Sequence, residues 1–377
     1  DFEENTDYWN FRLEKMRAVL AHRGNDARGR FLKKHIGLSH SRLAIRDILC
    51  GDQPMTRTHN GYEYTICYNG EIYNTDELIP ELSENGFVCS TTSDTEVILY
   101  AYIHWGADFV NRLNGIFAFA IWDAAKSRLL LYRDRVGVKP LFYAIRGDSL
   151  VFGSEPKACF AHPAVKPELD KQGLQELLAI GPAHTSGLSL FKDLFEVLPG
   201  HFMIYSRDGL HDETYWELTS REHTESYRDT VAHTRFLVED AIKRQMVSDV
   251  PVCTFLSGGI DSSIVTAIAA NYMNTRGKTL NTFSFDFKDN DRYFKANAFQ
   301  PERDLPYVNR MLEEYETAHS YLECDENSLF KALFAAVDAK DMPLADIRGF
   351  TAKSCWKDMA SHGHRMSLHA LLFCAMM

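Results

Sequence analysis

The sequence predicts two domains, a layered α+β domain over residues 1–209 and an α/β domain with a doubly wound parallel sheet over 210–377. Three observations predict it. Short aromatic and β-branched runs, punctuated by Gly, Asp or Asn, dominate the first two hundred residues. Strand–helix alternation takes over after Tyr215-Trp216-Glu217. A length of 377 residues is more than one hydrophobic core ordinarily serves.

In the first domain the strand-like runs are Tyr62 to Tyr68, Ile116 to Trp122, Arg128 to Tyr132, Leu141 to Ile145, Leu150 to Phe152 and His201 to Tyr205. Thr75 can cap a helix that carries Leu78, Ile79 and Leu82 and stops at Gly86. Ser93 with Glu96 reads as a capping box for a second helix, which carries Val97, Ile98 and Tyr100 to Tyr102. The polar residues 221–229 read as a linker or helix start. Asp229 to Met246 then places Val231, Val238, Ala241 and Ile242 at helical spacing. The apolar strand Val252 to Leu256 runs through a Gly-rich loop into a helix over Ser262 to Ala270. A strand at Phe283 to Phe287, a helix capped by Asp304 with Pro306 in its first turn, a strand near Ser320 to Leu322 and a helix from about Asn327 to Val337 follow.

Composition narrows the function. The chain is 45% hydrophobic and 25% charged, and its net charge of −11 is spread along its length. Without basic stripes, a nucleic-acid partner bound by bulk electrostatics is not expected. Eight cysteines (50, 67, 89, 159, 253, 324, 355 and 374) form no C-x-x-C pair, which argues against a disulfide scaffold or zinc ribbon and for a reducing cytoplasm. No apolar run reaches the length of a membrane span. Asp1 is no initiator methionine and Ala370 to Met377 is an apolar stop, so a segment cut at both ends is expected.

Leu256-Ser257-Gly258-Gly259-Ile260-Asp261-Ser262-Ser263 carries the sharpest chemical signal. It joins the carboxyl end of a strand to a helix, where ligands sit in open α/β sheets. Glycines let backbone N–H groups point inward, the helix N-terminus adds partial positive charge, and the hydroxyls add donors for a pyrophosphate. No lysine follows, so this is not the Walker loop. Asp261 is placed to hold Mg²⁺ against phosphate oxygens, although a helix cap would also explain it. The run resembles the pyrophosphate loop of the ATP pyrophosphatases, which include asparagine, GMP, NAD and argininosuccinate synthetases. That resemblance implies cleavage of ATP between its α and β phosphates. It also sets the adenine near the backbone of Phe285 in Phe283-Ser284-Phe285-Asp286-Phe287, whose alternate phenylalanines otherwise read as a core face.

Four polar clusters mark the first domain: His22-Arg23-Gly24-Asn25-Asp26, Ser41-Arg42-Leu43-Ala44-Ile45, Tyr68-Asn69-Gly70-Glu71-Ile72-Tyr73-Asn74 and Ser93-Asp94-Thr95-Glu96. Each alone has a bland explanation as a turn, ion pair or helix cap. Together and in this order they resemble the class II glutamine amidotransferase domain, with Asn25 in place of a usual proline. Arg133 to Leu141, Gly153 to Lys157 and Leu198 to His201 resemble its form in the asparagine synthetase family, and the likeness runs from Asp1 to about Ile347. The resemblance implies a layered αββα, Ntn-hydrolase-like fold and a glutamine pocket of Arg42, Leu43, Ala44, Ile45, Asn69, Gly70, Glu71 and Asp94. Arg42 would clamp the substrate carboxylate, Glu71 and Asp94 would hold its ammonium, and the Asn69 amide with the Gly70 N–H would form the oxyanion hole. The family's nucleophile, an N-terminal cysteine whose α-amine serves as base, is not in this sequence.

From Arg348 onward no likeness is found, and His362-Gly363-His364 lacks a third metal ligand. The expectation is ATP-dependent asparagine synthesis from aspartate and glutamine, with ATP and Mg²⁺, no nucleic acid, no membrane and a homodimer left open. The segment as given is expected to be inactive. The alternatives are a related adenylating synthetase, of the β-lactam synthetase or peptide cyclase kind, and a non-catalytic binding protein on the same fold.

Overall fold

The computed structural model describes residues 5–180, 184–298 and 301–342. The chain divides into two compact units, Asp1–Ser220 and Arg221–Met377. The first opens with α1 (Thr6–Ala18) and two hairpins, β1 (Ala27–Lys33) with β2 (Ile36–Arg42) and β3 (Met55–His59) with β4 (Tyr62–Ile72). Helices α2 (Thr75–Glu84) and α3 (Asp94–Trp105) lead to β5 (Gly115–Asp123), β6 (Arg128–Arg133), β7 (Phe142–Arg146) and β8 (Ser149–Gly153). Short helices α4 (Pro156–Phe160) and α5 (Lys171–Gln175), the small β9 (Phe195–Glu196) and the hairpin β10 (His201–Ser206) with β11 (Gly209–Thr214) complete it. Because β11 pairs along its whole length with β10, residues 210–214 lie with the first unit and not the second, as the sequence alone had divided them.

A six-stranded antiparallel sheet runs in the order β11-β10-β6-β5-β4-β3. The two-residue period of a strand separates its faces. Phe117, Phe119 and Ile121 of β5 and Leu130 and Tyr132 of β6 bury against Leu78 and Leu82 of α2 and Val97, Ile98 and Tyr102 of α3. The alternate residues Ala118, Ala120, Leu129, Leu131 and Met203 pack with Ile36 and Leu38 of β2 and with Tyr143 and Phe152 of β7 and β8. The far side of β7 and β8, through Phe142, Ala144 and Val151, meets Met16 of α1 and Cys159 of α4. Helix, sheet, sheet, helix is the αββα order expected. The alternation of phenylalanine and alanine in Phe117-Ala118-Phe119-Ala120 serves it directly: bulk fills the helix side, and small side chains let the second sheet approach.

Two capping details differ from the sequence reading. Asn74, not Thr75, is the N-cap residue of α2, and the Thr75 hydroxyl instead accepts a hydrogen bond from Arg46. Ser93 does cap α3, accepting from the Thr95 N–H. Glu96, however, turns away from it to accept from the Ser90 and Thr91 N–H groups and from Arg57. That ion pair and those donors outweigh the turn-closing contact of a capping box.

The second unit comprises α6 (Tyr227–Arg244), β12 (Cys253–Phe255), α7 (Ile260–Asn274), β13 (Leu280–Phe287), the short α8 (Asn290–Tyr293), α9 (Leu305–Glu314), β14 (Thr317–Cys324) and α10 (Glu326–Lys340). Its strands are parallel, in the order β12-β13-β14, and helices make the crossovers, as the strand–helix alternation predicts. Ala269 and Ala270 of α7 press on Leu280 of β13, where small residues let helix and strand come close. Arg348 to Met377, with Cys355, Cys374 and the His362–His364 pair, lies outside the described residues. Among the described residues no helix is long and apolar enough to cross a membrane.

Phe119 is the packing centre of the six-stranded sheet, with ring centroids of Tyr132, Phe117 and Phe109 at 4.8, 5.1 and 5.9 Å. Phe119→Ala is expected to cost about 4 kcal/mol, read as the fall in the urea-unfolding free energy of the first unit. Phe119→Leu should lose under half of that.

Candidate active site

β4 has eleven residues and β3 only five, so the β3–β4 ladder ends at the Met55–Ile66 pair. Beyond it, side chains take the place of a neighbouring strand. The Tyr68 N–H donates to Gln53 Oε1 at 2.6 Å, and His40 Nε2 donates to the Tyr68 carbonyl at 3.1 Å. The Ile72 N–H donates to Asp94 Oδ2 at 3.0 Å, and Arg46 Nη1 donates to the Ile72 carbonyl at 2.9 Å. Peptide groups two residues apart face the same edge. The N–H and C=O of Gly70, midway between Tyr68 and Ile72, therefore turn to this edge too. The opposite strand agrees: Phe117, the partner of Gly70, gives its own N–H to Asp134 Oδ2 and takes the Asp134 N–H, both on the far side.

Two features mark this edge as built for a ligand. Asn69 Nδ2 is buried with no hydrogen-bond partner among the described residues. An orphaned donor of that kind costs about 1–3 kcal/mol unless something binds it. A Cβ at position 70 would overlap the Ile116 carbonyl oxygen and sit 2.7 Å from Phe117 Cα, so only glycine lets the strands close here.

The other expected pocket residues lie at the end of β2, in the turn after it, on β4 and at the start of α3. Arg42 ends β2, buried, and Leu43, Ala44 and Ile45 follow it. Asp26 pins this turn by accepting the Ala44 N–H at 2.8 Å and donating its own N–H to the Arg42 carbonyl at 3.0 Å. The guanidinium of Arg42 is turned to its own loop: it donates to the carbonyls of Arg46, Asp47 and Ile48 and to Asp52 Oδ1 at 3.2 Å. Asp52, largely exposed, is the one anion on that fork. Glu71 and Asp94 are both buried. Burial pushes the Asp94 carboxyl up; Arg46, the Ile72 N–H and the Tyr68 hydroxyl at 2.9 Å pull against it.

Sequence reasoning missed several side chains here. Gln53, His40 and Arg46 dress the edge, and only the position of His40, two residues before Arg42 on the same strand face, offered a signal. Burial holds His40 near pH 4, so its ring is neutral at pH 7 with the proton on the nitrogen that faces the Tyr68 carbonyl. Lys139 is buried beside Glu71, Asp134 and Arg23. Desolvation first, then Arg23, brings its ammonium down to about 8, against the pull of the two carboxylates. Glu155 collects His22, Arg23 and Lys157 at 3.0, 2.8 and 2.8 Å. Burial alone would raise Glu155; those partners outweigh it and hold the carboxyl at about 2. Burial makes three of the cysteines poor nucleophiles, pushing Cys67 up to about 12, Cys89 to about 11 and Cys253 to about 12.

In the second unit, Leu256 extends β12 by donating its N–H to the Phe283 carbonyl at 2.8 Å. The loop then closes on itself. The hydroxyls of Ser257 and Ser262 meet at 3.0 Å, Ser262 Oγ donates to the Gly259 carbonyl, and the Ser257 N–H donates to Ser262 Oγ. The two glycines are not equivalent. Gly258 has φ +79° and a Cβ there would lie 2.8 Å from the Asp304 carbonyl, while Gly259 is the ordinary N-cap of α7 and has room for a side chain. Asp261 is exposed in the first turn of α7. Since Phe283 faces β12 and β12 stops there, the peptide of Phe285 opens onto the same crevice at the carboxyl end of the strand.

The model of the glutamine amidotransferase domain matches residues 2–216. The chain belongs to that family. Residues 233–369 match the asparagine synthase model, so the likeness extends past Ile347, where the motifs alone had ended it. The chain is 46% identical to asparagine synthetase [glutamine-hydrolyzing] 3 of Bacillus subtilis across 92% of its own length and 57% of that protein's. It is 33% identical to the amidase chyE of Penicillium rubens across 89% of its length and 50% of that protein's. The chain thus spans little more than half of these curated relatives. A solved glutamine phosphoribosylpyrophosphate amidotransferase from B. subtilis superposes with a TM-score of 0.40 at 20% identity, covering 77% of this chain and 65% of the other.

Within this amidotransferase domain the Glu155 cluster ties two separated motifs together, and its pH dependence follows from sign. A depressed carboxyl stabilises the fold above its unfolded value, near 4.5, and loses that contribution as pH falls toward about 2. Glu155→Gln is expected to cost about 2 kcal/mol at pH 7, solvent access discounted. The gap between variant and parent in thermal unfolding should close as pH drops from 4.5 toward 2.

Proposed function

We propose that this chain works in ATP-dependent asparagine synthesis from aspartate, with glutamine as nitrogen donor and β-aspartyl-AMP as intermediate. The observation that carries the reading is the open edge of β4, where an orphaned Asn69 donor and a glycine-only peptide stand beside two buried carboxylates. Glutamine fits that set. Its ammonium pairs with Glu71 and Asp94, and its α-carboxylate takes the Arg42 fork from the exposed Asp52, with Leu43, Ala44 and Ile45 forming the wall. A thiolate attacks the carboxamide carbon, the charge that moves to its oxygen is held by Asn69 Nδ2 and the Gly70 N–H, and ammonia leaves. In this reading the thiol belongs to an N-terminal cysteine, whose α-amine takes the proton; the buried internal thiols have neither the amine nor the acidity.

In the second unit the aspartate β-carboxylate attacks the α-phosphorus of ATP and pyrophosphate departs into the loop of Leu256, Ser257, Gly258, Gly259, Asp261 and Ser262, with the adenine along Phe285. Ammonia then displaces AMP. The described residues offer a single loop carboxylate, Asp261, and no cluster of three metal ligands. That donor set fits Mg²⁺ carried on the nucleotide's phosphates, where the ion supplies neutralisation of phosphate charge, better than a protein-caged metal. The partners in this reading are small molecules, in a reducing cytoplasm, with a homodimer as the assembly to test by sedimentation.

A second reading, in which another acid is adenylated, stands beside it because one relative, at 33% identity, carries a name other than asparagine synthetase. One experiment separates them: product formation by the full-length gene product that contains this segment, with aspartate and other acids in turn. Aspartate-dependent release of AMP and pyrophosphate, with asparagine formed from either glutamine or ammonia, is expected. Asn69→Ala should lower the glutamine-dependent rate by about 10²–10³ and spare the ammonia-dependent one. No aspartate-dependent pyrophosphate from a folded protein would overturn the reading in favour of another acceptor.

A further inference from the structure

Arg46 lies outside the expected pocket, yet it bonds the same residue as Asp94, on the same edge of β4. Asp94 Oδ2 accepts the Ile72 N–H at 3.0 Å; Arg46 Nη1 donates to the Ile72 carbonyl at 2.9 Å, and its Nη2 donates to Thr75 Oγ1 at 3.1 Å. The end of β4 and the start of α2 are therefore held by one guanidinium, two residues from Gly70.

Charge makes the same point. Asp94 is a buried carboxylate, and burial raises its proton affinity. The groups that face Asp94 are the Tyr68 hydroxyl, the Ile72 N–H and Tyr73 from the β4 segment, the Thr95 N–H from α3, and Arg46. Of the charges that act on Asp94, Arg46 is the leading one that favours its ionised form. Lys139 stands in the corresponding relation to Glu71.

We propose that Arg46 is a positioning residue of the glutamine pocket, fixing the Ile72 peptide at the end of the oxyanion strand and balancing the buried Asp94 charge that receives the substrate ammonium. This rests on the glutamine-pocket reading, but one of its consequences does not need glutamine. Without the Arg46 cation, burial acts on Asp94 with less opposition, so its carboxyl titrates at higher pH. Protonated Asp94 cannot receive an ammonium, so the acid limb of glutamine binding moves up with it.

The test compares the 377-residue chain with its Arg46→Gln and Arg46→Lys variants. Gln keeps a donor for the Ile72 carbonyl and removes the charge; Lys keeps the charge. Carbon-13 NMR of the Asp94 carboxyl, without ligand, should show its titration moved up by one pH unit or more in R46Q and back toward the parent in R46K. Calorimetric affinity for L-glutamine should fall tenfold or more in R46Q at pH 6, recover as pH rises toward 8, and be largely restored at pH 6 in R46K. An unmoved Asp94 titration in a folded R46Q, or an affinity loss equal at every pH, would overturn the proposal. Failure of the parent chain to bind glutamine would sink the pocket reading instead, and the carboxyl titration would still decide the role of Arg46.

Discussion

The first unit depends on one mismatch of length: β4 continues past the end of β3, and six residues of backbone, Cys67 to Ile72, run on with β5 on one edge and no strand on the other. Buried peptide groups must find partners. Here the partners come one at a time from four different places in the chain. Gln53 and His40 serve Tyr68, and Asp94 and Arg46 serve Ile72. The peptide between them, Gly70, is left facing the opening, with the unpartnered Asn69 amide next to it. The sheet positions the site by stopping a strand early.

The second unit uses the same device in a parallel sheet. β13 has eight residues against three in β12, so its last residues pass the end of their neighbour just where the loop begins. Ser284 Oγ closes the Leu256 carbonyl at 2.5 Å, and the Phe285 peptide is left open to the crevice. In both units a long strand beside a short one exposes backbone donors and acceptors of fixed direction, which a ligand can use without the entropy cost of ordering side chains. The charges around the first opening follow from its burial. Burial raises the proton affinity of Asp94 and Arg46 opposes it, while Lys139, its own ammonium brought down by burial, stands beside Glu71.

Much of this was legible in sequence, and the reason is local. The aromatic and β-branched run from Ile116 to Trp122 announces a strand, and the run from Ser257 to Ser263 announces a turn before a helix. The candidate pocket residues stood out only as a set of four motifs in order, because each motif alone reads as a turn or cap. What was not legible were contacts whose partners are distant in the chain. Nothing in the sequence says that Arg46 reaches Ile72, or that Glu96 leaves the capping box for Ser90, Thr91 and Arg57. Residue type also hid a difference between two neighbours: Gly258 needs its glycine for a left-handed φ and a close carbonyl, and Gly259 does not. The domain boundary was set too early because pairing of β10 with β11 outweighs the change in sequence texture.

The central claim is that the Gly70 peptide faces an opening that glutamine fills, and amide hydrogen exchange reads it most directly. In the free chain the Gly70 N–H should exchange much faster than those of Tyr68 and Ile72, which Gln53 and Asp94 hold, and saturating L-glutamine should slow it to their range. A Gly70 amide already as protected as its neighbours without ligand, or one unchanged when glutamine is bound, would contradict the account.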